Sequence, residues 1–290
     1  MDKIETLEAA VGRLSDGMTI GIGGWATRRK PMALVRAIAQ SNLKDLTLVS
    51  FGGPDVGVLA AAGKLRKLVF AFVSLDQYPL DPHFRAAREA GLSVFELDEG
   101  LLHWGLRAAA MKLPFLPSRV GVGTDVVRQD GFATVKSPFA DGETLVAMPA
   151  IKLDAALLHV HRSDARGNTV TLSPDPFFDE LMARAADTVI VSSERIVETA
   201  ELDVAIHGPR NLFERALVTS VVEAPYGAHP TSASPDYALD LAHLKGYVDA
   251  AASQDAWADY RARFVDVAPE AYLAAIGGAA HVSALPAVVY

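Results

Sequence analysis

Met18-Thr19-Ile20-Gly21-Ile22-Gly23-Gly24-Trp25-Ala26 is a short apolar run that breaks on a glycine turn, and a helical pattern opens soon after it at Pro31. A run of this kind suits a strand buried on both faces, and glycines placed directly after it let the backbone pass close to a neighbour or a ligand. The pattern recurs along the chain. Short runs rich in Val, Ile and Leu stand at 46–50, 68–73, 93–97, 155–160 and 188–192. Helical patterns are read at 3–14, 31–40, 81–90, 101–110, 176–186 and 257–265. The alternation predicts an α/β fold built on an open, largely parallel sheet with helices on both faces. Residues 1–290 read as one domain, interrupted at about 113–149 by a loop-rich insertion or short hairpin region with turns at Pro117-Ser118, Gln129-Asp130-Gly131 and Asp141-Gly142. After Gly277 the tail turns small and apolar, a segment that packs on a partner or frays.

Composition narrows the function. Half of the residues are apolar, and 27 basic against 35 acidic residues leave a net charge of −8, with Arg28-Arg29-Lys30 as the longest basic block. That balance argues against nucleic acid or an anionic membrane surface as partner. No stretch approaches the roughly 18 to 20 apolar residues of a transmembrane helix. The acidic, polar start Met1-Asp2-Lys3-Ile4-Glu5 is unlike a signal peptide, so a cytoplasmic location is expected. With no cysteine, disulfides, thiolate metal sites and a cysteine nucleophile are excluded. Oxygen and nitrogen side chains must carry any chemistry.

The first turn satisfies Gly-x-Gly-x-x-Ala, a loose dinucleotide fingerprint, which requires an acid at the end of the following strand to hold the ribose hydroxyls. That strand ends Val49-Ser50-Phe51-Gly52-Gly53, and Asp45 lies before it. The nicotinamide reading therefore fails its own test. Gly52-Gly53-Pro54-Asp55 instead repeats the glycine device at the next strand end, so the two turns are expected to border one crevice at the carboxyl edge of the sheet. In that reading the amides around Gly23 and Gly24 cradle an anion or oxyanion, and Arg28, Arg29 and Lys30 stand at the mouth to attract a phosphate or carboxylate. The plainer alternative has the glycines serving close packing and the basic triplet forming a solvated helix start.

Glu96-Leu97-Asp98-Glu99-Gly100 places three carboxylates at the end of another predicted strand. In extended backbone Glu96 and Asp98 share a face, while Glu99, at the turn before Gly100, points along the strand axis into the crevice. Crowding and partial burial would poise one of them as a general base; a solvated acidic turn is the competing reading. His159 and His161 alternate as metal ligands on a strand do, but no third ligand has a suitable spacing, so satisfied histidines and no metal site are expected. His229, in Gly227-Ala228-His229-Pro230-Thr231, carries no specific mechanism by itself.

Taken together, these segments resemble the α subunit of the family I coenzyme A transferases over most of the chain. The matching pieces are Gly21-Ile22-Gly23-Gly24-Trp25 with Lys30-Pro31, Glu96-Leu97-Asp98-Glu99-Gly100, the block from Asp154 to Asn168, Ala185-Ala186-Asp187-Thr188-Val189-Ile190-Val191 followed by Glu194-Arg195-Ile196-Val197, and Gly227-Ala228-His229-Pro230-Thr231. The resemblance implies an active site shared with a β subunit, in an α2β2 heterotetramer, and a CoA thioester as substrate with no separate cofactor. The chain departs from the family's usual Glu-x-x-Pro-Gln-Gly, with Asp98 in place of the proline and Glu99 in place of the amide. In this it resembles the α subunits of the family's steroid ring-cleaving hydrolases. That likeness implies hydrolytic C–C cleavage of a cyclic β-keto acyl-CoA left from the last rings in cholesterol degradation. Glu99 would then act as base, with Gly23, Gly24, Trp25, Arg28, Arg29, Lys30, Gly52 and Gly53 lining the substrate site. The alternative is an ordinary transferase moving CoA between an acyl-CoA and a carboxylic acid. A ligand-sensing module of related fold would need a DNA-binding appendage, and helix 3–14 lacks the basic clustering for one.

Overall fold

Strand β1, Thr19–Ile22, runs through the middle of an eight-stranded sheet in the computed structural model, which describes residues 2–139, 141–202 and 208–286. On one side of it follow β2 (Leu46–Gly52), β3 (Leu65–Val73) and β4 (Ser93–Glu96); on the other follow β8 (Leu153–Ser163), β10 (Ala186–Ile196) and β11 (Ser220–Glu223). All of these pair in parallel, and β9 (Thr169–Val170) adds to β8 antiparallel. The chain builds outward from β1 to β4, then returns to lay β8 on the opposite side. The strand order thus reverses between β1 and β8, and ligands of open α/β sheets bind at the carboxyl edge near such a switch.

Alternate strand residues feed two cores, as the two-residue repeat of a strand requires. Ile20, Ile22, Leu48, Leu68, Phe70 and Leu157 pack on one face with α1 (Leu7–Val11), α2 (Met32–Gln40), α3 (Pro54–Ala61), α4 (Pro82–Glu89) and α7 (Leu241–Asp249). Val49, Phe51, Val69, Ala156, Leu158 and Val191 pack on the other with α5 (Glu99–Ala110) and α6 (Asp179–Ala185). The open, largely parallel sheet with helices on both faces is as the sequence predicts. No helix among the described residues is long and apolar enough to cross a membrane.

Three differences have local causes. The helix predicted over 3–14 shortens to Leu7–Val11, because the Thr6 side chain caps it at the Ala9 amide and Gly12 ends it. Gly52-Gly53-Pro54-Asp55 is not only a turn: Pro54 takes the first position of α3, where its missing N–H costs nothing. The insertion takes the hairpin form of its two readings and extends it to three strands, β5 (Phe115–Ser118), β6 (Ala133–Lys136) and β7 (Thr144–Pro149), in an antiparallel sheet of order β5-β7-β6. Val146 and Met148 anchor it in the second core. Beyond α7, helices α8 (Gln254–Phe264), α9 (Pro269–Ala275) and α10 (Gly278–Ser283) close the chain, with Tyr272, Ile276 and Val282 in a third cluster around Tyr237. The end of the apolar tail, 287–290, lies outside the described residues.

Candidate functional site

The two glycine turns interlock instead of framing an open crevice. The Ala26 amide donates to the Phe51 carbonyl at 3.1 Å, and a Cβ at Gly53 would overlap the Ala26 carbonyl oxygen. Gly24, at φ +73°, has no room for a side chain against the Arg28 carbonyl. The expected amide cradle is also already filled: the Gly23 N–H donates to the Leu157 carbonyl at 2.9 Å and the Gly24 N–H to Asp179 Oδ1 at 3.0 Å. The Gly53 amide donates to Asp55 Oδ1 at 2.9 Å. Close packing, the plainer of the two sequence readings, accounts for these glycines.

The basic triplet separates for the same reason. Arg29 is 1% exposed and its guanidinium donates to Asp179 Oδ2 at 2.5 Å and to the His159 carbonyl at 2.7 Å, joining the β1 turn to β8 and to the start of α6. Lys30 is wholly buried, donates to Ser50 Oγ at 2.9 Å and lies 3.4 Å from Asp55 Oδ2. Burial lowers its pKa, and the Asp55 carboxylate opposes that shift. Neither the anion-attracting mouth nor the solvated helix start describes Arg29 and Lys30: desolvated cations need partners, and two buried carboxylates supply them. Arg28 is half-buried, with its guanidinium 4.8 Å from the centre of the Trp25 ring.

The acidic segment also divides its labour. Leu97 is buried and its amide donates to the Phe70 carbonyl, fixing the end of β4. The Asp98 side chain caps α5, accepting from the Leu101 amide at 2.8 Å. Val94 packs into the first core and Phe95 into the second, so alternation puts Glu96 on the side of Val94, away from α5. Gln129 of the insertion holds the Glu96 backbone from outside, donating to its carbonyl at 2.7 Å and accepting from its amide at 3.2 Å. Glu99 is left exposed as the first residue of α5, at the carboxyl edge of the sheet. The three carboxylates therefore do not act as one crowded cluster.

An aromatic wall runs from β1 to α5, and Trp25 is the one member singled out by sequence. Trp25 meets Phe72 edge-on at 5.1 Å, Phe72 lies 6.3 Å from Phe51, and Phe51 stacks on Phe178 at 3.8 Å. Phe178 in turn meets His103 at 5.2 Å, one helical turn beyond Glu99. Arg107, a further turn along, donates from its Nη2 to His103 Nε2 at 3.3 Å. Burial, aided by the Arg107 charge, lowers the His103 pKa. Sequence reasoning overlooks Asp179, Phe51, Phe72, Phe178 and His103. The available signals are Phe177-Phe178-Asp179 before an apolar helix face and the four-residue interval from Glu99 to His103.

The histidines singled out by the sequence, His159, His161 and His229, are tied into structure. His159 Nδ1 pairs with Ser192 Oγ at 2.8 Å and its Nε2 with Glu194 Oε1 at 2.7 Å. His161 accepts from the Leu172 amide at Nδ1 and faces the Ser234 carbonyl at Nε2, and burial followed by the Arg29 charge lowers its pKa to about 4. His229 lies between Tyr272 and Asp240. A cavity of about 530 Å³ lined by Asn168, Arg184, Phe213, Glu214 and Arg215 lies apart from the glycine turns, and its Glu214 is paired with Arg184.

Comparison with known proteins agrees with this architecture. The family described as Coenzyme A transferase matches residues 4–219. The "Cholesterol ring-cleaving hydrolase IpdA subunit" of Rhodococcus jostii (strain RHA1) is 48% identical over 283 residues, spanning 95% of this chain and 96% of its own length. The protein of the same name from Mycobacterium tuberculosis (strain CDC 1551 / Oshkosh) is 46% identical over 283 residues, spanning 95% and 97%. Among solved structures, glutaconate coenzyme A-transferase from Acidaminococcus fermentans superposes with a TM-score of 0.92 at 27% identity, covering 99% of this chain and 96% of that one. The reversing parallel sheet, the glycine turn closing β1 and the match across residues 4–219 have one common explanation: the chain belongs to the coenzyme A transferase family.

Proposed function

We propose that this chain is the α subunit of a heteromeric acyl-CoA hydrolase that opens a cyclic β-keto acyl-CoA derived from the last steroid rings. It would pair with a β-type subunit as an α2β2 heterotetramer. The reading rests on Glu99: an exposed carboxylate at the head of α5, the helix whose His103 meets the end of the aromatic wall, in a chain 48% identical over almost its whole length to a cholesterol ring-cleaving hydrolase subunit. The partly exposed rings of Trp25, Phe72 and Phe178 suit a fused-ring substrate, since burial of apolar area is the chief attraction such a substrate offers.

The chemistry follows from one base and one water. Glu99 takes a proton from water as the water oxygen adds to the ring ketone carbon. Collapse of the adduct breaks the bond to the carbon next to the thioester, and the electron pair leaves as an enolate conjugated with the thioester carbonyl. Glu99 returns its proton to that carbon, giving a ring-opened acyl-CoA, and the new carboxylic acid ionises to the carboxylate in water. The CoA thioester is substrate, and no further cofactor enters the balance. Because the amides of Gly23 and Gly24 have acceptors within the chain, they are not assigned to the developing oxyanion.

The test is turnover of the cyclic acyl-CoA by the complex in ¹⁸O-labelled water without any acceptor acid. Label in the new carboxylate of a ring-opened acyl-CoA supports the hydrolase. Turnover that strictly requires an acceptor acid makes the protein a transferase subunit instead.

A further inference from the structure

With the glycine amides committed, the oxygen that gains charge during water addition needs another donor. Three residues one turn apart on α5 stand at the edge of its buried stripe: Glu99, His103 and Arg107. The Arg107 guanidinium carries donors only and keeps its charge at any working pH, so its NH2 group, 3.3 Å from His103 Nε2, forces that nitrogen to be the acceptor. The proton of the neutral ring must then reside on Nδ1. Helical side chains lean toward the N-terminus, which carries the His103 ring back over the turn that holds Glu99. Phe178, edge-on at 5.2 Å, steadies the ring from the aromatic wall.

This arrangement makes a poor packing device. Arg107 Nε is buried with no hydrogen-bond partner among the described residues. An unsatisfied buried donor of this kind works against folding. A leucine or phenylalanine pair would fill the same space without that cost. What the pairing yields is an imidazole of fixed tautomer that stays neutral, since both burial and the neighbouring guanidinium disfavour its cation.

We propose that His103, held by Arg107 as the Nδ1–H tautomer, donates a hydrogen bond to the oxygen of the ketone that Glu99-activated water attacks, without giving up its proton. The proposal rests on the hydrolase reading above for its substrate and on the α5 geometry for its donor. A neutral imidazole is the suitable donor here, because a cation one turn from Glu99 would weaken the base by pairing with it.

Asparagine places an N–H where the imidazole has Nδ1, whereas glutamine places one where it has Nε2, so the two substitutions tell the nitrogens apart. The complex with its β-type partner is to be compared as wild type, His103→Asn, His103→Gln and His103→Phe, with kcat and KM measured separately. The expected ranking is a kcat loss of about 10²-fold for His103→Phe and His103→Gln, the scale of one lost oxyanion donor. His103→Asn is expected to keep at least a tenth of wild-type kcat, and KM to stay within about threefold in all three. Equal kcat in the Gln and Asn variants, a Gln variant better than Asn, or losses confined to KM would overturn the assignment. Wild-type turnover that needs an acceptor acid would remove the hydrolase reading and, with it, the ketone oxygen assigned to His103, whereas wild-type ring opening without an acceptor acid combined with a broken kcat ranking would overturn the role of His103 alone.

Discussion

Asp179 and Arg29 form an ion pair 2.5 Å long, with side chains 0% and 1% exposed, and the other oxygen of the same carboxylate takes the Gly24 amide. One carboxylate thus closes the turn after β1 and fixes the start of α6 against it. Removing it leaves the Gly24 amide without its acceptor and the buried Arg29 charge without its counter-ion. Asp179→Ala is expected to destabilise the chain by roughly 3–5 kcal/mol, the usual cost of orphaning one partner of a buried pair. Denaturant unfolding measures it; a loss under about 1 kcal/mol would mean that water or a neighbour replaces the carboxylate.

Gln129 reaches the unpaired edge of β4 and bonds both the amide and the carbonyl of Glu96, as a further strand would. Gln129→Ala should cost about 1 kcal/mol and speed hydrogen exchange at the Glu96 amide, while leaving the amides of β1 protected. Exchange at Glu96 that stays as slow as in wild type would show that the clamp does not hold the strand end in place.

Stability should vary with pH through opposing buried groups. Burial, reinforced by the His229 charge, lowers His243 to about 3, and burial followed by Arg29 lowers His161 to about 4. The unfolded chain binds more protons at these sites between about pH 3 and 6.5, so their contribution falls as the solution is acidified through that window. Asp81 has the opposite sign: burial raises it to about 7, its hydrogen bonds to Tyr247, Phe84 and His83 notwithstanding, so the folded chain binds the extra proton and stability drops as pH rises from about 4 to 7. Asp81→Asn removes that opposing contribution. It should steepen the rise of stability with pH over this interval by up to about 1.4 kcal/mol per unit, and an unchanged slope in unfolding experiments at pH 5, 6 and 7 would contradict it.

The sheet was legible in the sequence because strands buried on both faces leave continuous apolar runs, as 46–50 and 155–160 do. The helix at Pro54–Ala61 was not, since six of its residues, Gly57 among them, are buried and no amphipathic period marks it. Glu99 stands out locally, as an acid between a strand and a helix. The fates of Arg29 and Lys30 do not, because each is decided by a fold that brings in a carboxylate: Asp179 lies 150 positions from Arg29. The glycine turns read equally well as a ligand cradle or as close packing until Ala26 and Phe51 are seen to bond.

The most direct test of the account compares Glu99→Gln with Glu96→Gln in the complex, measuring kcat for ring opening of the cyclic acyl-CoA. Glu99→Gln should lower kcat roughly 10²-fold or more by removing the base while keeping its shape, and Glu96→Gln should leave it within a few-fold. A Glu99→Gln enzyme that turns over like wild type, or a Glu96→Gln enzyme that fails in its place, would contradict the assignment of the base.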